Sequence, residues 1–285
     1  MATLKIDDIH MHYEVHGSGE PFFLHHGLTS SSQMWHQHLP WLTDKYQVII
    51  HDARGHGLST TPEGDEHYSW EIFADDWNRL MEHLGIERAI VGGLSMGGGV
   101  SHAFALKYPQ KVKALILSDS AGTGVPNPAM QVPLEDMDRQ MEAREYIVRK
   151  FGVIEQAYRS IAAGMARKPV IEDPERYELD YLQRMAMFSV NGSIYATRFV
   201  MRTTVPGIER TLGLTMPTLI IIGEEDGLLP AAEWLRDTIP NRRYTLLTKV
   251  GHATSRYKPE AWRQAVDKFL NDLKADKNIK GEYTY

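Results

Sequence analysis

The feature that most constrains the fold is the stretch of residues 89–99, where an apolar run meets a cluster of glycines. Residues 89–91 predict a buried strand, and residues 100–108 predict a helix that stops at Pro109. Between them, Gly93, Ser95 and Gly97 fit the pattern G-x-S-x-G, which has meaning only in such a strand-turn-helix context. Side chains at positions 93 and 97 would collide in so sharp a turn, so we expect only hydrogen to fit there. The stretch therefore predicts that Ser95 protrudes from the sheet edge as a nucleophile.

Strand and helix patterns alternate on both sides of this stretch. Strands are predicted at residues 4–6, 9–15, 22–25, 47–51, 89–91, 112–118, 218–223 and 244–247. Helices are predicted at residues 33–42, 70–84, 100–108, 231–238 and 259–273, and Ser69 is the expected cap of the second. This alternation indicates an α/β fold with a mostly parallel, eight-stranded sheet flanked by helices. The polar tail, residues 274–285, is expected to be loosely ordered.

The alternation is interrupted between residues 121 and 209. Helical patterns follow one another there without a convincing strand, at residues 135–151, 155–166, 174–188 and 193–202. In parallel sheets the active site lies at the carboxyl ends of the strands, and the insertion leaves the sheet from that same edge. We therefore predict a core domain of residues 1–120 and 210–285, with residues 121–209 inserted as a helical cap over the site.

A serine hydroxyl needs a base, and the base needs an orienting acid. His252 follows the last predicted strand, and Asp226 follows the strand at residues 218–223. The chain order Ser95, Asp226, His252 matches that of a G-x-S-x-G triad. Alternative acids are the neighbouring Glu224 and Glu225, and Asp119, which follows the strand after the nucleophile.

Acyl transfer also needs N–H donors for an oxyanion. The Met96 amide, at the start of a helix, is one predicted donor. The Leu28 amide, in the loop after the strand at residues 22–25, is the other. His26 is expected to brace that loop. His25 is a candidate for lining the substrate pocket, and a packed position is its alternative.

Substrate choice is expected to depend on the methionine-rich insertion. Met130, Met137 and Phe188 are candidates for an adaptable apolar pocket, with the core of the insertion as the alternative position. Arg198 and Arg202 lie four residues apart and are candidates for binding a substrate carboxylate. The alternatives for both arginines are a solvated face or pairing with acids of the insertion.

Composition excludes several classes of function. A net charge of -6, with both signs mixed along the 285 residues, argues against nucleic acid or an anionic membrane as the main partner. The absence of cysteine excludes disulfides, thiolate metal sites and a cysteine nucleophile. No apolar run is long enough to span a membrane, and no signal-peptide pattern is visible, so a cytoplasmic location is expected.

Taken together, the motifs resemble those of the α/β-hydrolase superfamily over nearly the whole chain. The residues that carry the resemblance are His26-Gly27-Leu28, residues 52–59, residues 93–98, residues 223–226 and Gly251-His252. Residues 34–57, 94–98 and 118–121 look most like the 3-oxoadipate enol-lactonase and carboxylesterase branch, while residues 96–99 are similar to cofactor-free haloperoxidases and perhydrolases. A serine nucleophile speaks against haloalkane dehalogenases and epoxide hydrolases, which use an aspartate.

The resemblance implies an α/β-hydrolase fold and a serine hydrolase that needs neither metal nor organic cofactor. The expected substrate is a small carboxylic ester or lactone, cleaved through an acyl-enzyme. Three alternatives stay open: C–C bond hydrolysis of a ring-cleavage product, a perhydrolase or haloperoxidase-like activity, and a non-catalytic hydrolase fold that binds a ligand.

Overall fold

The structure is a computed structural model that describes residues 2–121, 133–163, 174–202 and 211–285. Within these residues, nine strands form one sheet in the order β1-β2-β4-β3-β5-β6-β7-β8-β9. The strands are β1 (Ala2–Ile6), β2 (Ile9–His16), β3 (Glu20–His25), β4 (Tyr46–His51), β5 (Ala89–Leu94), β6 (Val112–Ser118), β7 (Thr218–Gly223), β8 (Arg242–Leu247) and β9 (Gly281–Thr284). Only the β1–β2 and β2–β4 pairs are antiparallel in this sheet. The predicted mostly parallel sheet is confirmed, but the predicted number of eight strands is wrong.

The additional strand, β9, lies in the tail that was expected to be loosely ordered. It pairs in parallel with β8, and the Thr248 N–H donates to the Tyr285 carbonyl at 2.8 Å. The buried Arg243 donates to the Ile279 carbonyl at 2.8 Å, and its guanidinium lies 4.8 Å from the centre of the Tyr283 ring. Backbone pairing, the contacts of Arg243 and the buried Ile279 side chain hold the tail, and these contacts are too scattered to form an apolar run that the sequence could show.

Helices cover both faces of the sheet because successive strand side chains point to opposite sides. Phe23 of β3 packs in one core with side chains of α2 and α3, whereas Phe22 and Leu24 pack in a second core with α10. The helices of the described residues are α1 (Leu39–Leu42), α2 (Trp70–His83), α3 (Met96–Lys107), α4 (Leu134–Phe151), α5 (Val153–Ala162), α6 (Pro174–Ala186), α7 (Thr197–Arg202), α8 (Leu229–Thr238), α9 (Thr254–Tyr257) and α10 (Pro259–Lys274). Among them, none combines the length and the apolar composition of a membrane span.

Helix α2 begins as predicted. The Ser69 hydroxyl accepts a hydrogen bond from the Ile72 amide at 3.1 Å, which satisfies one of the free N–H groups of the first turn. Phe73 and Trp77 are buried on its apolar face. Gly85, with φ of 66°, follows the helix in the left-handed conformation that glycine favours at this position.

Helices α4 to α7 separate β6 from β7, where the insertion was predicted. The segment between α6 and α7 contacts the loop that follows β4: Ser189 donates to the Gly55 carbonyl at 3.1 Å, and Asn191 donates to the Thr61 carbonyl at 2.9 Å. A side chain on Gly192 would collide with the Gly55 backbone, so glycine permits this close approach. The division into core and cap stays a prediction, because much of the boundary lies outside the described residues.

Candidate active site

Ser95 sits at the tip of the turn between β5 and α3, as the sequence predicted. Its backbone has φ of 57° and ψ of -115°, a strained conformation for a residue with a side chain. The surrounding structure holds it there. The Ser95 N–H donates to the Ser118 carbonyl at 2.9 Å, and the Ser95 carbonyl accepts from the Gly99 N–H at 3.0 Å. The serine is thus fixed between β6 and the first turn of α3.

The glycines around Ser95 are required by space. A Cβ atom on Gly93 would lie 2.8 Å from the His25 carbonyl oxygen, and one on Gly97 would lie 2.6 Å from the His26 carbonyl oxygen. The expectation that only hydrogen fits at positions 93 and 97 is therefore confirmed. A Cβ atom on Gly27 would lie 3.6 Å from the Ser95 Cβ atom, so the loop after β3 packs directly against the serine.

The two predicted oxyanion donors lie in separate segments: Met96 directly follows Ser95, and Leu28 directly follows Gly27, which packs against the serine. Within the residues that the structure describes, neither the Leu28 N–H nor the Met96 N–H donates a hydrogen bond to a protein group. The loop that carries Leu28 is braced by His26, as the sequence suggested. The Nδ1–H of His26 donates to the Gly27 carbonyl at 2.8 Å, and its Nε2 atom accepts from the Ala53 N–H at 3.0 Å. These two contacts also define the tautomer of the His26 ring.

Asp226 and His252 meet beyond the carboxyl ends of β7 and β8. The Nδ1 atom of His252 lies 2.8 Å from Oδ2 of Asp226. The Asp226 side chain is fully buried, whereas that of His252 is 32% exposed. The other oxygen of Asp226 accepts from the Leu228 N–H at 2.9 Å, which fixes the orientation of the carboxylate. A buried carboxylate therefore holds one edge of an imidazole that is still accessible to solvent.

The alternative acids are either exposed or bonded to other groups. Glu224 and Glu225 are exposed, and Glu224 accepts from the Lys249 N–H at 3.0 Å. One Asp119 oxygen, Oδ2, accepts from both the N–H and the hydroxyl of Thr254, at 2.8 and 2.7 Å. Its Oδ1 atom accepts from the Gly223 N–H at 3.3 Å. Among the described residues, Asp226 is the acid that the geometry pairs with His252.

Asp119 has a role that the sequence did not indicate. Its carboxylate lies just after β6 and accepts hydrogen bonds from Thr254, which follows His252, and from Gly223 at the end of β7. Asp119 therefore connects the ends of β6 and β7 to the segment after His252. Burial raises the pKa of Asp119 to about 7, with the neighbouring Asp226 carboxylate adding to the shift and His252 opposing it. A non-local contact of this kind leaves no trace in sequence spacing.

The predicted pocket residues are dispersed. His25 is 1% exposed and packs against the rings of His51 and Trp77, at centroid distances of 4.7 and 5.6 Å. Burial lowers the pKa of His25 well below its ordinary value, so the ring is neutral. This placement favours the packed alternative for His25.

The insertion supplies the remaining pocket candidates. Met137 on α4 and Phe188 are both buried, and the Phe188 ring stacks on His56 at 4.8 Å. Arg198 forms ion pairs with Asp65, at 3.0 Å, and with Glu145. Its guanidinium is thus engaged within the protein, which favours the pairing alternative. Met130 lies outside the described residues.

Helix α6 connects the two sides of the candidate site, which sequence reasoning also missed. Arg184 donates to the Thr29 hydroxyl, one residue beyond Leu28, at 3.0 Å. Asp180, one turn earlier, pairs with Arg256 and accepts from the Tyr257 hydroxyl at 3.2 Å. A single helix of the insertion therefore contacts both the loop that carries the predicted oxyanion donor and the helix that follows His252.

Strands β5 to β8 are neighbours in the sheet, and each is followed by one part of the candidate site. In strand order, these parts are Ser95, Asp119, Asp226 and the loop of His252. Because parallel strands present their carboxyl ends at one edge, these residues share that edge. The one group of three metal-ligating side chains in the described part of the chain lies elsewhere, on β2 and on the segment Ser32–His38.

The chain is similar to known proteins in sequence and in fold. 3-Oxoadipate enol-lactonase 2 of Acinetobacter baylyi is 26% identical over 270 residues, which cover 93% of this chain and 94% of that protein. A thermophilic esterase from Thermogutta terrifontis is 29% identical, with a TM-score of 0.77 over 93% of this chain and 94% of that one. The enol-lactonase of Burkholderia xenovorans, 23% identical, has the same fold, with a TM-score of 0.78 over 95% and 100%. The model of the alpha/beta hydrolase fold matches residues 20–259, and the chain belongs to that family.

Proposed function

We propose that the protein is a serine hydrolase that cleaves a small carboxylic ester or lactone through an acyl-enzyme on Ser95. The observation that carries the proposal is the 2.8 Å contact between Nδ1 of His252 and the buried Asp226 carboxylate. A carboxylate in this position keeps the proton on Nδ1 and leaves Nε2 as the basic atom. The strained turn at Ser95 supports the same assignment, and so do the Leu28 and Met96 amides, which donate to no group among the described residues.

In the proposed reaction, Nε2 of His252 takes the Ser95 hydroxyl proton as Oγ forms a bond to the substrate carbonyl carbon. The carbonyl oxygen becomes an oxyanion, which the N–H groups of Leu28 and Met96 stabilise. Collapse of this intermediate breaks the bond to the leaving oxygen, which receives the proton from His252. Water then attacks the acyl-enzyme with His252 as base, and the carboxylic acid is released with Ser95 restored.

The comparisons and the insertion support the proposed substrate class. Relatives with similar length and fold are named enol-lactonases and esterases, and both classes break an acyl–oxygen bond. In a lactone the leaving oxygen stays attached to the acyl group, so the two classes need the same catalytic groups and differ in pocket shape. We propose that helix α6, which contacts both sides of the site, roofs the pocket where this choice is made.

The proposal is tested with a panel of short-chain aryl esters, lactones, amides and vinylogous diketones. The wild type is expected to hydrolyse esters or lactones, and Ser95→Ala is expected to lose that turnover while its circular dichroism is unchanged. Ser160→Ala on α5 is the matched control and is expected to keep full activity. Undiminished ester turnover by Ser95→Ala would refute the proposal. Faster turnover of the vinylogous diketones than of every ester would instead support C–C bond hydrolysis as the activity.

A further inference from the structure

Strand β2 carries a row of polar side chains that the proposed reaction does not use. His12, Glu14 and His16 alternate along the strand and so lie on one face of it. Glu14 is at the centre of the row, and its side chain is 17% exposed. The Nε2 atom of His16 lies 2.8 Å from Oε2 of Glu14, and that of His12 lies 3.5 Å from Oε1.

A third histidine approaches the same carboxylate from another element. His36 belongs to the 3-10 helix Ser32–His38, which precedes α1. Its Nε2 atom lies 3.2 Å from Oε2 and 3.3 Å from Oε1 of Glu14. One ligand atom from each of Glu14, His16 and His36 lies within 4.8 Å of the other two.

We propose that Glu14, His16 and His36 form a binding site for one late divalent transition metal ion, with Zn²⁺ as the representative. Two imidazoles and one carboxylate are a ligand set that Zn²⁺ accepts, and it leaves a fourth position for water. His12 contacts the other Glu14 oxygen and orients the carboxylate, as outer groups commonly do at metal sites. This site is separate from Ser95, Asp226 and His252.

The distances between the proposed ligand atoms are close to those expected in a tetrahedral zinc site. Ligand atoms about 2.0–2.1 Å from a tetrahedral zinc ion are about 3.4 Å from one another. The Glu14 oxygens are now 2.8–3.3 Å from the two imidazole nitrogens, so a small outward movement of side chains is enough. The side chains of His16 and His36 are 36% and 46% exposed, so the ion enters from solvent and the histidines move without disturbing the core.

Metal binding would connect two parts of the fold that are distant in sequence. The 3-10 helix Ser32–His38 follows the loop that carries Leu28, and the Ser32 N–H donates to the Asp52 carboxylate at 2.7 Å. An ion held by His36 on one side and by β2 on the other would fasten this segment to the sheet. Because a ligand that binds only the folded state stabilises it, Zn²⁺ is expected to raise the thermal unfolding midpoint.

The experiment is titration of the whole metal-free protein with Zn²⁺, followed by calorimetry and by thermal unfolding. The wild type is expected to bind one Zn²⁺ per chain at this site. His16→Gln and His36→Gln are each expected to weaken binding by at least about tenfold, because loss of a ligand costs at least as much as loss of an outer group. His67→Gln is the matched control, since His67 also pairs with a carboxylate, that of Asp8 at 2.7 Å, and within the described residues no second histidine pairs with Asp8.

The double variant His16→Gln/His36→Gln separates this site from the proposed catalytic one. It is expected to hydrolyse the ester as the wild type does while losing the zinc-dependent rise in unfolding midpoint. Absence of saturable zinc binding by the wild type would overturn the proposal. So would wild-type affinity in the double variant, which would place the ion at other groups such as His252.

Discussion

Because the fold buries several neutral histidines, we expect its free energy of unfolding to fall in mild acid. Burial lowers the pKa of six histidines in the described part of the chain, to about 3 for His56 and to about 4 for His38 and His102. The other three are His25, His26 and His51. Each of the six has at most 2% of its surface exposed. In the unfolded chain the same side chains titrate near their ordinary value of about 6.5.

The direction of the pH dependence follows from the difference between the numbers of protons that the unfolded and the folded protein bind. Near pH 5 the unfolded chain binds about five more protons than the folded protein does on the five histidines other than His26, and His26 shifts in the same direction. Asp119 acts in the opposite sense, because burial raises its pKa to about 7 and the folded protein keeps about one proton there. The net difference is about four protons, or about 5 kcal/mol of unfolding free energy per pH unit. The stability contributed by the neutral histidines is complete above about pH 6.5 and is lost as the pH falls toward their folded values.

A slope of this size is large against a total stability of about 5–15 kcal/mol, so we expect acid unfolding to be complete by about pH 4. The measurement is urea denaturation followed by tryptophan fluorescence, in steps from about pH 7 to about pH 5. His56→Phe keeps the stack on Phe188 and removes one titrating group, so the slope is expected to fall by about 1.4 kcal/mol per pH unit. An unfolding free energy that does not change between about pH 6 and pH 5, or an unaltered slope in His56→Phe, would refute the reasoning.

Three further predictions concern the site and the core. Asp226→Asn removes the group that orients His252, and kcat on the ester is expected to fall by about 10³–10⁴ in steady-state assays, with unchanged turnover as the contradicting result. Gly97→Ala places a methyl group 2.6 Å from the His26 carbonyl oxygen, so the loop that carries the predicted oxyanion donor must shift. In steady-state assays kcat is expected to fall at least about 10²-fold. Unchanged kcat would show that the loop tolerates the methyl group. Asp76→Asn breaks the buried pair with Arg54, whose two hydrogen bonds are 2.7 and 2.8 Å long. The free energy of unfolding is expected to fall by about 3–5 kcal/mol. A denaturation midpoint within error of the wild type would contradict this.

Local chemistry made much of the fold predictable. The turn at Ser95 depends on residues within a few positions of each other, and its glycines are required by the same crowding that the pattern implies. Helix α2 was predicted from a capping serine and an apolar periodicity, which are also local. The order of strands and helices then indicated which edge of the sheet carries the site.

Contacts between distant residues were not predictable in this way. Strand β9 is held by its backbone and by Arg243, which lies some way back in the chain, and its own side chains show no apolar pattern. The hydrogen bonds from Thr254 to Asp119 and from Arg184 to Thr29 join residues that no spacing rule relates. The ion pairs of Arg198 likewise depend on how α7 packs against α4 and the loop near Asp65.

The central claim is that Ser95 carries the acyl group during turnover. It is tested most directly by intact-protein and peptide mass spectrometry after treatment with a fluorophosphonate, and after rapid acid quench with a slowly hydrolysed aryl ester. Both reagents are expected to add one group per chain, on the peptide that contains Ser95, and to leave Ser95→Ala unmodified. Ester hydrolysis by the wild type without any adduct on Ser95, or an equal adduct on Ser95→Ala, would contradict the account.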